Sequence, residues 1–325
     1  MWREATRVSQ DIVCPGRLQC ENGGSMSSST DTNSATYGDE VARAGGAGAA
    51  GGADADVVIE DVVEPARLKE IEDLQRVAWG MDERGIVPAS LLQIAATSGG
   101  IVLAAYDRAG HGVGAGHGGR AIGFVFGLLA RRGGRLYHAS HMLATDPAYQ
   151  GRGVGAALKF AQRDRALAQG LDLMTWTFDP LIARNAHFNL RKLGAVSRVY
   201  YEDYYGPLED RYNSGLPTDR LLVEWRLRDG LPWPIPEVAG PPAPLLVAEG
   251  SWPAPLLDQR EGSGDRAPLS VRIPGDIAPI KEGDPAAALA WRLAVRQALS
   301  WAFARGYAVR DFGGGAYLLV PGNGP

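Results

Sequence analysis

Cysteine is nearly missing from this chain of 325 residues: there are two, Cys14 and Cys20, both close to the N-terminus. A disulfide framework or a cysteine-built zinc cluster is therefore excluded for everything that follows them. A reducing, cytoplasmic location is the matching expectation. Long apolar runs are missing too. The longest, AIGFVFGLLA at 121–130, contains glycines and falls well short of the roughly 20 residues a helix needs to cross a bilayer, so no membrane association is expected. The opening stretch MWREATRVSQDIVC carries acidic residues and no apolar segment, unlike a secretory signal. Positive charge is not in excess: 33 Lys and Arg stand against 37 Asp and Glu, a net charge of −4. That excludes the basic surface a nucleic-acid partner demands. What is present is an ordinary globular share of apolar residues, 45%.

Composition divides the chain. Residues 21–55 are rich in Gly, Ser, Ala and Asp and hold almost no large apolar side chains. Such a stretch cannot offset an ordering cost of roughly 1–2 kcal/mol per residue, so residues 1–55 are expected to form a disordered tail. Glu21-Asn22-Gly23-Gly24-Ser25 resembles a translated purine-rich ribosome-binding sequence, which makes Met26 an expected alternative start. Residues 56–230 alternate strand and helix patterns. Residues 231–269, dense in proline, read as an extended linker. Order is expected to return over 270–325 as a small α+β appendage. So short a piece is marginal as an independent core and should dock on the main domain or on a second copy, as in a homodimer. There Asp284-Pro285 reads as the cap of a long helix ending at Gly306. Its Arg292 and Arg296 read as salt-bridged or, alternatively, as an anion site.

In the main domain, DVVIEDVV from Asp56 has strand composition. Leu68, Ile71, Leu74 and Ala78 then recur at helical spacing before Gly80. Strands are expected at 100–107 and 121–130. Between them Gly114, Gly116 and Gly119 match GxGxxG, but a strand follows where a dinucleotide site needs a helix. A hairpin loop is the expectation. His111 and His117 in that loop lack carboxylate or cysteine neighbours, so no metal is expected.

The informative block is TDPAYQGRGVGAAL at 145–158. A strand over 135–147 ends at Asp146-Pro147, three glycines follow, and a helix runs to Gly170. A helix N-terminus offers unpaired N–H groups and partial positive charge, and glycines let an anion approach them closely. A diphosphate suits that place, with Arg152 adding charge and Ala156 and Ala157 keeping the first turn open. No Gly-Lys-Ser/Thr follows, so this is no Walker loop.

Gln150-Gly151-Arg152-Gly153-Val154-Gly155 resembles the Q/R-x-x-G-x-G/A signature of the GNAT superfamily of acyl-CoA-dependent acyltransferases. The surrounding order is similar as well: a strand at 171–178, a helix at 181–194, then strands at 195–205 and 219–227. The stretches SHM, TFDPLIARNAHFNLRKLGA and TDRLLVEW resemble one branch of the superfamily with relatives thought to N-acylate amino acids. The resemblance covers 57–230. It implies an α/β fold: a mixed, mostly antiparallel sheet flanked by helices, splayed between its fourth strand (135–147) and its fifth (171–178). It also implies an acyl-CoA co-substrate, acetyl-CoA by default with succinyl-CoA as the alternative, and no metal. Leu143, Ala144 and Thr145 would pair with pantetheine. Gln150, Gly151, Arg152, Gly153, Val154, Gly155 and Ala156 would hold the diphosphate, with Asn185 as a further contact. The reaction would be direct attack of a small primary amine on the thioester.

Two departures stand out. Many relatives use a Glu on the fourth strand as base; HASHMLAT has none. His141 is the candidate, since histidine accepts a proton near neutral pH, the alternative being a purely packed side chain. His138 should lie on the opposite face. Leu190 stands where many relatives carry a tyrosine acid, leaving water, His187 or Tyr200, Tyr201, Tyr204 and Tyr205 as proton donors. Asn185 and Asn189, four apart, share one helical face. Trp176, Asp179 and Arg184 are candidate acceptor contacts, although Trp176 also reads as core and Asp179, before Pro180, as a helix N-cap. The competing class is a non-catalytic acyl-CoA-binding module.

Overall fold

The computed structural model describes residues 57–80, 83, 85–107, 120–208, 213–228, 241–257 and 267–322. The tail at 1–55 and the loop with His111, Gly114, Gly116, His117 and Gly119 lie outside the described residues.

The described residues open with β1 (Val57–Asp61) and α1 (Pro65–Trp79), which starts on Pro65 and stops at Gly80, a left-handed residue with φ +66°. α1 buries Leu68, Ile71 and Leu74, as their spacing predicts. α2 (Ala89–Thr97) has no counterpart in the sequence reading. Then come β2 (Ile101–Asp107), β3 (Ala121–Arg132) and β4 (Arg135–Thr145). After the glycine loop follow α3 (Val154–Ala168), β5 (Leu173–Phe178) and α4 (Ala183–Ala186), which runs on as a π-helical turn over His187–Lys192. β6 (Val196–Tyr201) and β7 (Arg220–Arg226) complete the region of resemblance. The remainder supplies β8 (Ala243–Glu249), β9 (Trp252–Pro255), β10 (Leu269–Arg272), α5 (Ala278–Gly283), α6 (Pro285–Ala304), β11 (Tyr307–Gly313) and β12 (Ala316–Pro321).

Among the described residues the strands form one sheet in the order β1-β2-β3-β4-β5-β7-β6-β11-β12-β10-β8-β9. It is antiparallel except for β4 beside β5 and β8 beside β10. The fold is therefore α/β with a mixed, mostly antiparallel sheet. Both faces of β2 are covered: Ile101, Leu103 and Ala105 enter the core under α3, Val102, Ala104 and Tyr106 the one under α1 and α2. That is why IVLAAYD is apolar throughout.

The expected linker at 231–269 needs correction. Part of it forms β8 and β9, and β8 lies parallel to β10 inside the sheet. Proline is tolerated because β9 is the sheet's edge strand. The C-terminal strands join the main sheet where β11 meets β6 at Val309 and Ser197, both fully buried. Asp284 caps α6 as its sequence predicts, accepting the Ala287 N–H at 3.0 Å. The α6 arginines are salt-bridged. Arg292 makes two bonds to Asp179, and Arg296 pairs with Asp219 and Glu202. The Tyr317 hydroxyl donates to the Pro180 carbonyl at 2.7 Å. These side chains fasten the segment after 241 onto the end of β5 and the start of β7.

Candidate active site

The site begins where two strands part. β4 and β5 pair at His138–Met174 and Ala139–Thr175 and at no later position. Beyond Ala139, β4 continues for six residues with β3 on one side and no strand on the other. Leu143, Ala144 and Thr145 lie on this stretch, opposite Val125, Phe124 and Gly123 of β3. An unpaired edge is a template for another extended chain.

β4 also carries a bulge. Ser140 pairs with Gly127 and Met142 with Phe126, so His141 is the extra residue. A bulge re-aims side chains. Before it, Ser140 turns toward α3, bonding to Gln162 and Lys159; after it, Met142 and Ala144 turn into the core under α1 and α2. His141 sits on that second side, edge-on to Phe126 with ring centroids 5.6 Å apart. One part of its ring reaches solvent while the rest is against apolar surface, and this burial holds its imidazolium below the ordinary value of 6.5. Burial thus favours the neutral form of the His141 ring. His138 occupies the opposite face, fully buried, its ring so close to Gly127 that a Cβ there would meet Nε2 at 2.3 Å.

The glycine loop follows from the end of β4. Asp146 is buried; its carboxylate accepts the Ala148 N–H and pairs with Arg120, and its own N–H bonds the Ile122 carbonyl. The Tyr149 hydroxyl donates to Asp107 at 2.6 Å. The loop is thus tied to β2 and β3 before it turns. Gly151 and Gly153 take φ values of +81° and +84°, the left-handed region that glycine enters without strain. No heavy atom lies within 4 Å of a Cβ built on Gly151. The first N–H groups of α3 have no intrahelical acceptor; Ala157 finds the Gly153 carbonyl at 3.0 Å. Val154 is buried and anchors this end, while Gln150, Gly151 and Arg152 are exposed and Gly153, Gly155 and Ala156 partly so. The Arg152 guanidinium lies 5.0 Å from the Tyr149 ring centre. Gly123 allows the close approach of α3, since a Cβ there would press on Leu158, Val154 and the Ala144 carbonyl at 3.0–3.1 Å.

These observations meet in one place: a strand edge released from its neighbour, and beside it a helix start with exposed amides. Residues 70–194 match the family model for the acetyltransferase (GNAT) family. They form a GNAT acetyltransferase domain. No curated protein sequence matches the chain. Solved structures to which it is similar include the ribosomal-protein-S18-alanine N-acetyltransferase of Escherichia coli, at 13% identity and TM-score 0.40, covering 55% of this chain and 98% of that one. A second is yncA, a putative acetyltransferase of Salmonella typhimurium with acetyl-CoA, at 17% identity and TM-score 0.41, covering 54% and 96%. A third is Arabidopsis thaliana Naa50 with a bisubstrate analogue, at 16% identity and TM-score 0.40, covering 52% and 97%.

In the GNAT domain the candidate acceptor contacts fall in different surroundings. Asp179 accepts both Arg292 bonds and the Leu181 N–H at 2.8 Å, so its carboxylate holds the C-terminal segment in place. Arg184 and Asn185 are exposed on α4. Asn189, which shares their helix, is buried instead and accepts the Trp176 indole N–H at 3.1 Å. Trp176 is partly buried, edge-on to Trp225 at 6.2 Å. The expected common face of Asn185 and Asn189 is not kept: the helix passes into a π-helical turn at His187, between them, and the wider turn changes the register. On the other side Tyr201 stacks on Tyr204, Tyr204 meets Tyr205 edge-on, and the Tyr205 hydroxyl meets that of Thr177 at 3.3 Å. Asp203, at φ +41°, holds their turn by accepting the Thr218 N–H and O–H.

One group of buried residues escaped the sequence reading. Lys159 of α3 is fully enclosed, its Nζ 2.7 Å from Ser140 Oγ, 3.2 Å from Gln162 Oε1 and 3.9 Å from the centre of the Trp176 ring. Burial drives its ammonium well below the ordinary lysine value. A signal existed: Val154, Leu158, Gln162 and Ala166 form a strict i, i+4 buried stripe, and a glutamine interrupts it.

No group of three or more His, Cys, Asp or Glu among the described residues is placed to hold a metal ion. No described helix is long and apolar enough to cross a membrane.

Proposed function

We propose that the chain is an acyl-CoA-dependent N-acyltransferase whose acceptor is a small primary amine, an amino acid among the candidates. The observation that carries this reading is the release of β4 from β5 after Ala139 and Thr175, beside the left-handed glycines that open α3. The amides of Gly151 to Ala156, with Arg152, take the diphosphate. The β4 edge from Leu143 to Thr145 takes the pantetheine amides, which brings the thioester toward the bulge at His141. Acetyl is the simplest acyl group.

The acceptor approaches from the face that carries His141. His141 removes a proton from the ammonium form of the amine, a service worth roughly 10²–10⁴-fold. The amine nitrogen then attacks the thioester carbonyl carbon, and a β4 backbone N–H stabilises the oxyanion. As the intermediate collapses the C–S bond breaks, the thiolate leaves and takes up a proton, and the nitrogen loses its second proton. The products are an amide and free CoA. The tyrosine series with Thr177 supplies an uncharged wall on the acceptor side.

The second reading, a non-catalytic acyl-CoA-binding module, is favoured by the lack of a Glu on β4 and by Leu190, buried where relatives place a tyrosine. Thiol release by the full chain, with acyl-CoA and a panel of amines that includes amino acids and a short peptide, separates the two. Release with an amide product identified by mass is expected. CoA binding without release across the panel selects the module.

A further inference from the structure

We propose that the acyl donor ends in a carboxylate, and that Lys159, with Gln162 and His138, receives it where β4 and β5 part. This rests on the acyl-CoA reading and names the class of its acyl group: a dicarboxylic half-thioester of about malonyl to glutaryl length.

The first support is position. Ser140 and Trp176 are the residues that follow the last β4–β5 pair on their strands, and the Lys159 Nζ lies between them, bonded to one and over the ring of the other. An acyl chain whose carbonyl sits at the His141 bulge has its free end directed past Ser140 toward this nitrogen. The acceptor and the acyl end then use opposite faces: His141 turns toward the side of α1 and α2, Ser140 toward α3.

The second support is charge. Lys159 is enclosed, 2% exposed, and pairs with no carboxylate among the described residues. A buried ammonium without an anion is costly. A site that keeps such a lysine gains from a ligand that brings the missing charge. Acetyl brings none.

The third support is a surplus of donors. The Gln162 Nε2 and both ring nitrogens of His138 are buried and have no hydrogen-bond partner. His138, at 0% exposure, stands one pair before the fork, and Gln162 is bonded to both Ser140 and Lys159. Buried polar groups are almost always satisfied. A carboxylate offers about four acceptor sites, enough for Lys159, Gln162 and one nitrogen of His138. A buried water is the competing occupant, and it provides no charge.

The transfer itself is unaltered: the amide bond forms, the C–S bond breaks, and the distal carboxylate passes through unchanged. The product is an amide that has exchanged an ammonium for a carboxylate.

The test is calorimetric binding of CoA, butyryl-CoA and succinyl-CoA to the full chain and to Lys159→Met, which keeps the side chain's length without its charge. Butyryl and succinyl share a four-carbon chain and differ in the terminal carboxylate. Succinyl-CoA is expected to bind the wild type at least tenfold more tightly than butyryl-CoA, and Lys159→Met to lose that preference while binding CoA as before. Equal affinities in the wild type, or a preference that survives in Lys159→Met, overturn the proposal and leave the acyl-CoA reading intact. Failure of CoA itself to bind overturns both. If Lys159→Met does not fold, Ser140→Ala and the wild-type pair of ligands decide: no difference between butyryl and succinyl refutes the idea.

Discussion

The Arg292 guanidinium meets the Asp179 carboxylate in a two-pronged bond, Nη1 to Oδ1 at 2.8 Å and Nη2 to Oδ2 at 2.7 Å, across 113 residues of sequence. Arg292 is 2% exposed. Burial opposes its charge, and the Asp179 carboxylate overcomes that and raises its pKa. Removing Arg292 leaves the Asp179 carboxylate to the more distant Arg220, 3.9 Å away; breaking a buried pair typically costs about 3–5 kcal/mol. Arg292→Met should therefore lower unfolding free energy by that order in urea titrations. The pair Arg292→Met with Asp179→Leu should recover much of the loss. Lysine is not a conservative replacement, since it cannot make the planar two-point contact.

His141→Ala should lower turnover at least tenfold and leave CoA affinity nearly unchanged, because the side chain lies away from the glycine loop proposed to hold the diphosphate. The pH dependence has a definite sign. Burial lowers the folded pKa below 6.5, so the base form persists through neutrality and is lost only as pH falls under that value. The acidic limb of kcat/KM should lie below pH 6.5 and vanish in His141→Ala. Turnover and a limb unaffected by the substitution would remove His141 from the role.

Arg152→Ala should do the reverse, weakening CoA several-fold while sparing the rate at saturation. Its contribution is a charge at an exposed loop, so the difference from wild type should shrink as salt rises. Calorimetry at two ionic strengths measures both.

Gly153→Ala probes the loop backbone. Its φ of +84° is strained for any residue with a Cβ, at about 1–2 kcal/mol. Weakened CoA binding is expected together with a modest loss of stability. Gly155, without a positive φ and with only Thr145 and Leu143 at 3.6 and 3.9 Å from an added Cβ, should accept alanine in the free protein.

His138 predicts acid sensitivity. Burial first, and the nearby Lys159 second, lower its pKa to about 3. Between that value and 6.5 the unfolded chain binds a proton that the folded one refuses, so stability falls as pH drops through this window. The full effect is on the order of 5 kcal/mol. His138→Leu should flatten the decline in urea midpoint between neutral and acidic pH.

The glycine loop, the order of strands and helices around it and the capped α6 were legible because each is a local property. Gly151 and Gly153 announce positive φ, apolar spacing announces buried faces, and Asp284-Pro285 announces a cap. These features depend on neighbours in sequence, and sequence displays them directly.

Tertiary structure alone decided the rest. Only strand register shows that His141 is the bulged residue, that β4 and β5 separate after Ala139, and that proline-rich residues of the expected linker form β8 and β9. Only packing shows that Lys159 is enclosed between Ser140 and Trp176, or that Arg292 finds Asp179. Such facts arise from contacts between residues distant along the chain, whose free energies depend on burial and partner geometry. A linear pattern carries neither.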